Sequence, residues 1–520
     1  MEGVALIALV LGSLAVTAVC RRFGTTPTLV LVLAGIGVSL IPGIPDFRIN
    51  PDVVLLVVLT PLLYSAALDS SYLGFRTNLR PIGLLAVGLV IFSTAAIGLA
   101  AWWLIPGLPL PAALVLGAVV APPDAVAAIA VGRRLGLPRR VMTILAGESL
   151  VNDATALTLF RVAVAAAAGA SISLWSGIGI FLLAGVGGGL IGLAVAWLVH
   201  WIRVRLNDPP IESALGLVVP FAVYLIAEEV HASGLLAVVV AGLYLGYRAP
   251  ETGFATRLQD DAVWRASDTV LESVVFALIG LQLTSVVREV GAVGPLLLTG
   301  VALTVVTVLA RVVWMFPATY LPRLLPSVRR RDPHPNWRVP AVISWAGMRG
   351  VVSLAAAFAI LPGVPFRETL VFLAFFITVG TLLLHGLTLP WLIRKLGVHG
   401  GETQADALAE ASAQHAAGRA AVARLDEMAE NVNGQLAHSV QKLRYMAQMR
   451  TNTSWERLGR PAEEAGESPS AAYRRMRRAM VAAERETFVQ YRDDGRIDDE
   501  VLRRVLRELD LEEAMLSRDD

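Results

Sequence analysis

The segment Gly147-Glu148-Ser149-Leu150-Val151-Asn152-Asp153 places four oxygen-bearing side chains in seven positions. On a helix, residues four apart share a face, so Glu148 stands over Asn152 and Ser149 over Asp153. Carboxylate, hydroxyl and amide oxygens suit hard cations, whereas zinc and copper sites draw on Cys and His. This chain has a single cysteine, Cys20. A polar face of this kind also fits an interhelical hydrogen-bond seam, but seams use Ser, Thr and Asn more readily than two carboxylates within six residues. Upstream lies Pro122-Pro123-Asp124. Two prolines remove two backbone donors and crowd the preceding turn, so a helix is expected to break there. The freed carbonyls, that of Pro123 among them, and the Asp124 carboxylate then offer further oxygens to a dehydrated cation, as in transporters whose helices break near the midplane. A simple proline kink, with Asp124 near a loop, is the alternative.

A third stretch, Ser344-Trp345-Ala346-Gly347-Met348-Arg349-Gly350-Val351-Val352-Ser353, carries an arginine at the same depth. A buried arginine needs a carboxylate partner, and Asp124, Glu148 and Asp153 compete for Arg349. Gly347 and Gly350 fit either a close helix approach or a second break, and Arg349 as a purely structural clamp fits equally well. Arg311 is read as lining a cytoplasmic funnel or binding lipid, and Arg161 as snorkelling outward. His385 reads as a packing histidine ahead of a proton relay. Gly187-Gly188-Gly189-Leu190-Ile191-Gly192 matches GxGxxG without a preceding strand, which makes it a close-packing helix surface. The sequence contains no P-loop.

These groups need a membrane to position them. Of 520 residues, 55% are hydrophobic and 17% charged, against about 25% charged in soluble proteins. That excludes a disordered chain, and one cysteine excludes a disulfide scaffold. A net charge of +2 gives no support to nucleic-acid binding. Residues 1–400 hold 26 Lys/Arg and 19 Asp/Glu, whereas residues 401–520 hold 18 and 23. The chain therefore divides into an apolar body, 1–396, and a charged tail, 397–520.

Spanning helices need about 20 mostly apolar residues. Thirteen candidates lie near 3–20, 27–44, 53–69, 81–105, 109–131, 140–168, 173–202, 211–228, 232–247, 266–287, 292–321, 339–361 and 366–393. Alternating loops then receive eighteen arginines on one side and three, Arg48, Arg288 and Arg367, on the other. This positive-inside asymmetry puts the N-terminus outside and the tail in the cytoplasm. Arg21-Arg22 follow the first apolar run, so that run is not a signal peptide. Asp124, Glu148, Asp153, Arg161, Arg311 and Arg349 remain at membrane depth, where each costs about 2.5–3.5 kcal/mol and marks an ion or substrate pathway. If the seventh span is a connector, spans 1–6 and 8–13 form two inverted six-helix repeats whose fifth and sixth members carry the unusual residues. The expected fold is all-α, with broken crossing helices and a helical tail over Ala420–Met449, Tyr473–Tyr491 and Asp498–Leu511. In the tail, Arg474, Arg475, Arg477 and Arg478 suit either anionic lipid or an ordinary solvated face.

Several separated motifs resemble the monovalent cation:proton antiporter-1 family: Leu62-Leu63-Tyr64-Ser65-Ala66-Ala67-Leu68-Asp69, Pro123-Asp124, the 147–153 segment, Ser233-Gly234-Leu235-Leu236-Ala237, Ile279-Gly280-Leu281 and 345–350. The resemblance covers about 1–395 and is similar to bacterial Na+/H+ exchangers with a long tail. It implies a homodimer in which a core moves against a dimerisation domain, and a cation or proton carried by Asp153. It further implies ion coordination by Asp124 and Ser149, an ion pair between Glu148 and Arg349, and electroneutral exchange from the Asn152-Asp153 pair. Pro123 departs from the threonine that many members carry.

A carboxylate at membrane depth holds a proton or a cation and not both, so competition at Asp153 couples their fluxes. The expected function is secondary exchange of Na+, K+ or Li+ for H+ at the cell membrane, with no cofactor and no enzymatic activity. The alternatives are a gated cation channel and a non-transporting sensor acting through the tail, whose role is expected to be regulatory or dimer-supporting.

Overall fold

A computed structural model describes residues 2–42, 51–169, 174–206, 208–290, 293–332, 334–400, 402–429, 437–456, 469–494 and 496–517. All regular structure among them is helical, and the chain divides into two compact units, 1–400 and 401–520.

In the first unit the helices are α1 (Glu2–Arg22), α2 (Pro27–Ser39), α3 (Pro51–Leu68), α4 (Leu79–Leu104), α5 (Leu110–Val120), α6 (Val126–Arg134) and α7 (Arg139–Ala167). After α8 (Leu174–Leu206) come α9 (Pro209–Glu229), α10 (Gly234–Arg248), α11 (Phe254–Val290), α12 (Gly294–Tyr320), α13 (Arg338–Trp345), α14 (Val351–Phe358) and α15 (Arg367–Leu396). Nine helices among the described residues are long and apolar enough to cross a membrane. With α5/α6 and α13/α14 each counted as one interrupted rod, the rods number thirteen, and the interruption falls on the fifth member of each six-helix repeat. Both interruptions follow from local chemistry: Pro122-Pro123 cannot continue a helical ladder, and Gly347 and Gly350 flank the second gap.

The packing agrees with that count. Gly400 N–H donates to the Gly136 carbonyl at 2.8 Å, Arg338 to the Leu396 carbonyl at 3.2 Å, and Arg134 to the Gly24 carbonyl. Asp332, between α12 and α13, is held by Arg80, Arg323 and Arg140, the last two at 2.7 and 2.8 Å. Each contact joins segments that thirteen spans place on one face.

One boundary differs from expectation. The tenth span begins at Phe254, twelve residues before 266, because charged residues there are paired and packed. Asp260 binds Arg203, the Thr256 hydroxyl donates to Glu212 at 2.9 Å, and Trp264 is buried against Tyr64. Tertiary pairing of this kind stabilises a helix whose composition reads as a loop.

The second unit contains α16 (Glu402–Ala429), α17 (Ala437–Glu456), α18 (Pro469–Asp493) and α19 (Asp499–Ser517). The single helix expected over 420–449 is therefore two, and 430–436 lie outside the described residues. Val481 of α18 and Leu502 and Leu509 of α19 are buried. Arg477 pairs with Glu512 at 2.5 Å and Arg485 with Glu513 at 2.6 Å. Arg478 donates to the Leu516 carbonyl at 2.8 Å. Two of the four arginines considered for lipid thus face α19.

Candidate ion-binding site

The two interrupted rods cross at their gaps. Asp124 N–H donates to the Met348 carbonyl at 2.6 Å, joining one break to the other. Four helix ends meet here, each with unpaired backbone groups and a partial charge. Arg349 Nε donates to the Val120 carbonyl at 3.1 Å and its Nη1 to Gly347, so the guanidinium serves the negative end of α5. Arg311 Nε donates to the Ser344 carbonyl at 3.1 Å and Nη2 to Ile343 at 3.1 Å, serving the end of α13. At the opposite polarity, Asp124 Oδ1 accepts from Val126 N–H at 2.9 Å at the start of α6. The same carboxylate lies against Gly350, the residue before α14, where a Cβ would overlap it. A Cβ on Gly347 would likewise strike the Arg311 side chain. Both glycines are thus required by close approach rather than by backbone angle.

The expected pairing of Glu148 with Arg349 is corrected by this geometry. Glu148 makes a two-pronged ion pair with Arg311, at 2.5 and 2.8 Å, with side-chain exposures of 2% and 1%. The fork of Arg311 matches a carboxylate, while Arg349, further along the crossing, is occupied by carbonyls. Arg311 therefore neither lines a funnel nor faces lipid.

The two i,i+4 rows of α7 also separate. Glu148 points to Arg311, and Asn152 donates to the Pro123 carbonyl at 2.6 Å, bracing the break. Asn152 Oδ1 is buried and has no hydrogen-bond partner among the described residues. Ser149 and Asp153 instead line a cavity of about 570 Å³ together with Asp124. Ser149 Oγ accepts from Ala125 N–H at 3.4 Å. The cavity runs from these groups to Arg21, Asp69 and Arg133 at helix ends. Pro123, Asn152, Glu148 and Arg349 are not among its lining residues.

Two lining carboxylates, Asp268 and Glu272, were missed in the sequence. Their signal was an i,i+4 acidic pair inside the candidate tenth span; in the fold the Ser65 hydroxyl donates to Asp268 at 2.6 Å. His385 is buried, its ring 5.1 Å from that of Trp345 beside the second break and outside the cavity lining. Arg161 pairs with Glu228 at 2.7 Å.

Residues 6–395 match the model of the sodium/hydrogen exchanger transmembrane family. A Mycobacterium tuberculosis protein designated an uncharacterized Na+/H+ exchanger is 33% identical, over 99% of this chain and 96% of its own. The Na+/H+ antiporter ApNhaP of Aphanothece halophytica is 32% identical over 77% of this chain and 75% of its own. The solved sodium proton antiporter MjNhaP1 of Methanocaldococcus jannaschii superposes with a TM-score of 0.59 at 18% identity, covering 76% of this chain and 98% of that one.

Proposed function

The chain belongs to the sodium/hydrogen exchanger family, and from that premise we propose that it exchanges Na+, with K+ or Li+ as further substrates, for H+ across the cytoplasmic membrane, one for one. It is a multi-pass membrane transporter and not an enzyme. The observation that carries the reading is that Asp124 and Asp153 share the inner end of a cavity whose other end is flanked by Arg21 and Arg133. The basic flank supports a cytoplasmic mouth by the positive-inside asymmetry, with the N-terminus outside.

Asp153 holds a proton or the cation; Asp124 and the Ser149 hydroxyl supply further oxygens to the cation. Asp124 is also engaged by the starts of α6 and α14, which leaves Asp153 as the carboxylate that exchanges its proton. Asn152 is neutral and braces Pro123, so α7 offers the cavity one titratable group, in keeping with one proton per cation. Movement of the crossing helices against the remaining spans exposes the loaded site to one face and then the other. The apolar outer surfaces of α1 and α8 suit lipid and a second copy in a homodimer.

The test is cation-induced proton efflux in everted vesicles, with Na+, K+ and Li+ compared across pH. A proton gradient that none of the three ions dissipates rejects the proposal. Gly350→Ala, which forces Asp124 aside, is expected to lower this flux on the order of a hundredfold, the scale of a misplaced reacting group. Gly363→Ala, with open space around it, leaves the flux unchanged. Removal of 401–520 is expected to leave exchange intact with an altered pH response, measured in the same vesicles; complete loss of flux with normal expression would argue for a tail that acts in transport itself.

A further inference from the structure

We propose that the ion pair between Arg161 and Glu228 is the latch that keeps the face opposite the cavity mouth shut, so that its breaking shifts the balance between the two access states. The consequence for transport rests on the antiport reading, but the geometry does not.

Helix α7 serves as the ruler. Thr143, Ala146, Gly147, Ser149, Leu150 and Asp153 line the cavity, and no α7 residue beyond Asp153 does. Arg161 lies eight residues further on, about 12 Å at helical rise, on the shut side. An apolar cluster floors the cavity beside Asp153: Leu59 and Leu63 of α3, Leu150 of α7 and Val352 of α14 line it, Leu235 and Val239 of α10 pack behind them, and Leu157 and Tyr224 close against the cluster on the side toward Arg161. Beyond the cluster, Arg161 Nη2 meets Glu228 Oε2 at 2.7 Å.

Glu228 is fixed to the corner between α9 and α10. Its Oε1 accepts from Gly234 N–H at 3.3 Å, and Gly234 has no room for a Cβ because the Tyr224 ring and Glu228 occupy the space. The Tyr224 hydroxyl and Asp52, at the start of α3, are within electrostatic reach of the pair, and Glu229 and His231 follow Glu228 at the same corner. Arg161, in contrast, rides on the helix that carries Asp153. The pair therefore ties the moving ion site to a neighbouring corner on the shut face. Its members are 51% and 28% exposed. A pair this accessible to water biases an equilibrium only about two- to fivefold, enough to hold one state and weak enough to release in each cycle. A buried pair would lock it.

The test uses the full chain with Cys20→Ser, which removes the native thiol, and Leu157→Cys as reporter on α7 at the edge of the apolar cluster. A membrane-impermeant maleimide is applied from the face on which α1 begins. Arg161→Ala and Glu228→Gln are each expected to raise the labelling rate about two- to fivefold, and Arg161→Glu/Glu228→Arg to return it toward the parent. Glu228→Gln retains an oxygen for Gly234 N–H, so a purely structural corner would leave its labelling at the parent rate. Parent-rate labelling in both single variants overturns the latch, and so does an increase confined to Arg161→Ala. Labelling reads access without transport, so absence of antiport would appear only in the vesicle flux and would leave the labelling rates unchanged.

Discussion

Asp153→Asn is expected to reduce cation-driven proton flux to the level of vesicles that lack the protein, with unchanged expression and thermal melting. The substitution preserves size and one oxygen acceptor on the cavity row of α7, but an amide has no proton to trade for a cation at physiological pH. In the proposed mechanism competition at one group is the whole coupling device, so nothing remains to link the fluxes. No hydrogen bond that braces the crossing is lost, because the bracing roles fall on Asn152, Glu148, Arg311 and Arg349. Asp124→Asn provides the contrast: it also removes a proposed ion ligand, but it weakens the start of α6 as well, so a lower melting temperature should accompany its loss of flux. Everted vesicles pulsed with Na+ and read by a pH-gradient dye give the comparison. Unimpaired exchange by Asp153→Asn at normal expression would falsify the assignment.

The second large effect concerns stability. Glu148→Gln or Arg311→Met alone strands a buried charge and is expected to cost about 3–5 kcal/mol, seen as a sharp loss of monodisperse protein on heating in detergent. Glu148→Gln with Arg311→Met removes both charges and should recover much of the loss. Recovery stays partial because Arg311 also serves the Ile343 and Ser344 carbonyls at the end of α13. Glu148→Gln with Arg349→Met should recover almost nothing, since Arg349 is spent on Val120 and Gly347. The reverse pattern, with strong coupling between 148 and 349 and none between 148 and 311, would restore the pairing expected from family resemblance.

The sequence alone determined what depends on near neighbours in the chain. Apolar run length gave thirteen spans, arginine asymmetry gave their alternation, and Pro122-Pro123 announced a break. The i,i+4 spacing around Glu148 and Asp153 marked α7 as the helix bearing the site. These features are local: a turn of helix repeats every 3.6 residues and a bilayer has one thickness. The rest waited on contacts between distant segments. Both Arg311 and Arg349 are single cations in apolar spans, and only the crossing shows that one meets Glu148 while the other meets the end of α5. Likewise, spacing placed two polar rows on α7, yet it took α5, α12 and α14 packed around that helix to turn Glu148 and Asn152 to bracing and Ser149 and Asp153 to the cavity. Asp268 and Glu272 joined the lining, the former taking a hydrogen bond from Ser65 of α3, and α11 reached back to Phe254 because Arg203 of α8 pairs with Asp260 and Glu212 of α9 accepts from the Thr256 hydroxyl. Partner choice among buried charges is a matter of ångströms across the fold, and residue type and spacing along one helix carry no record of it.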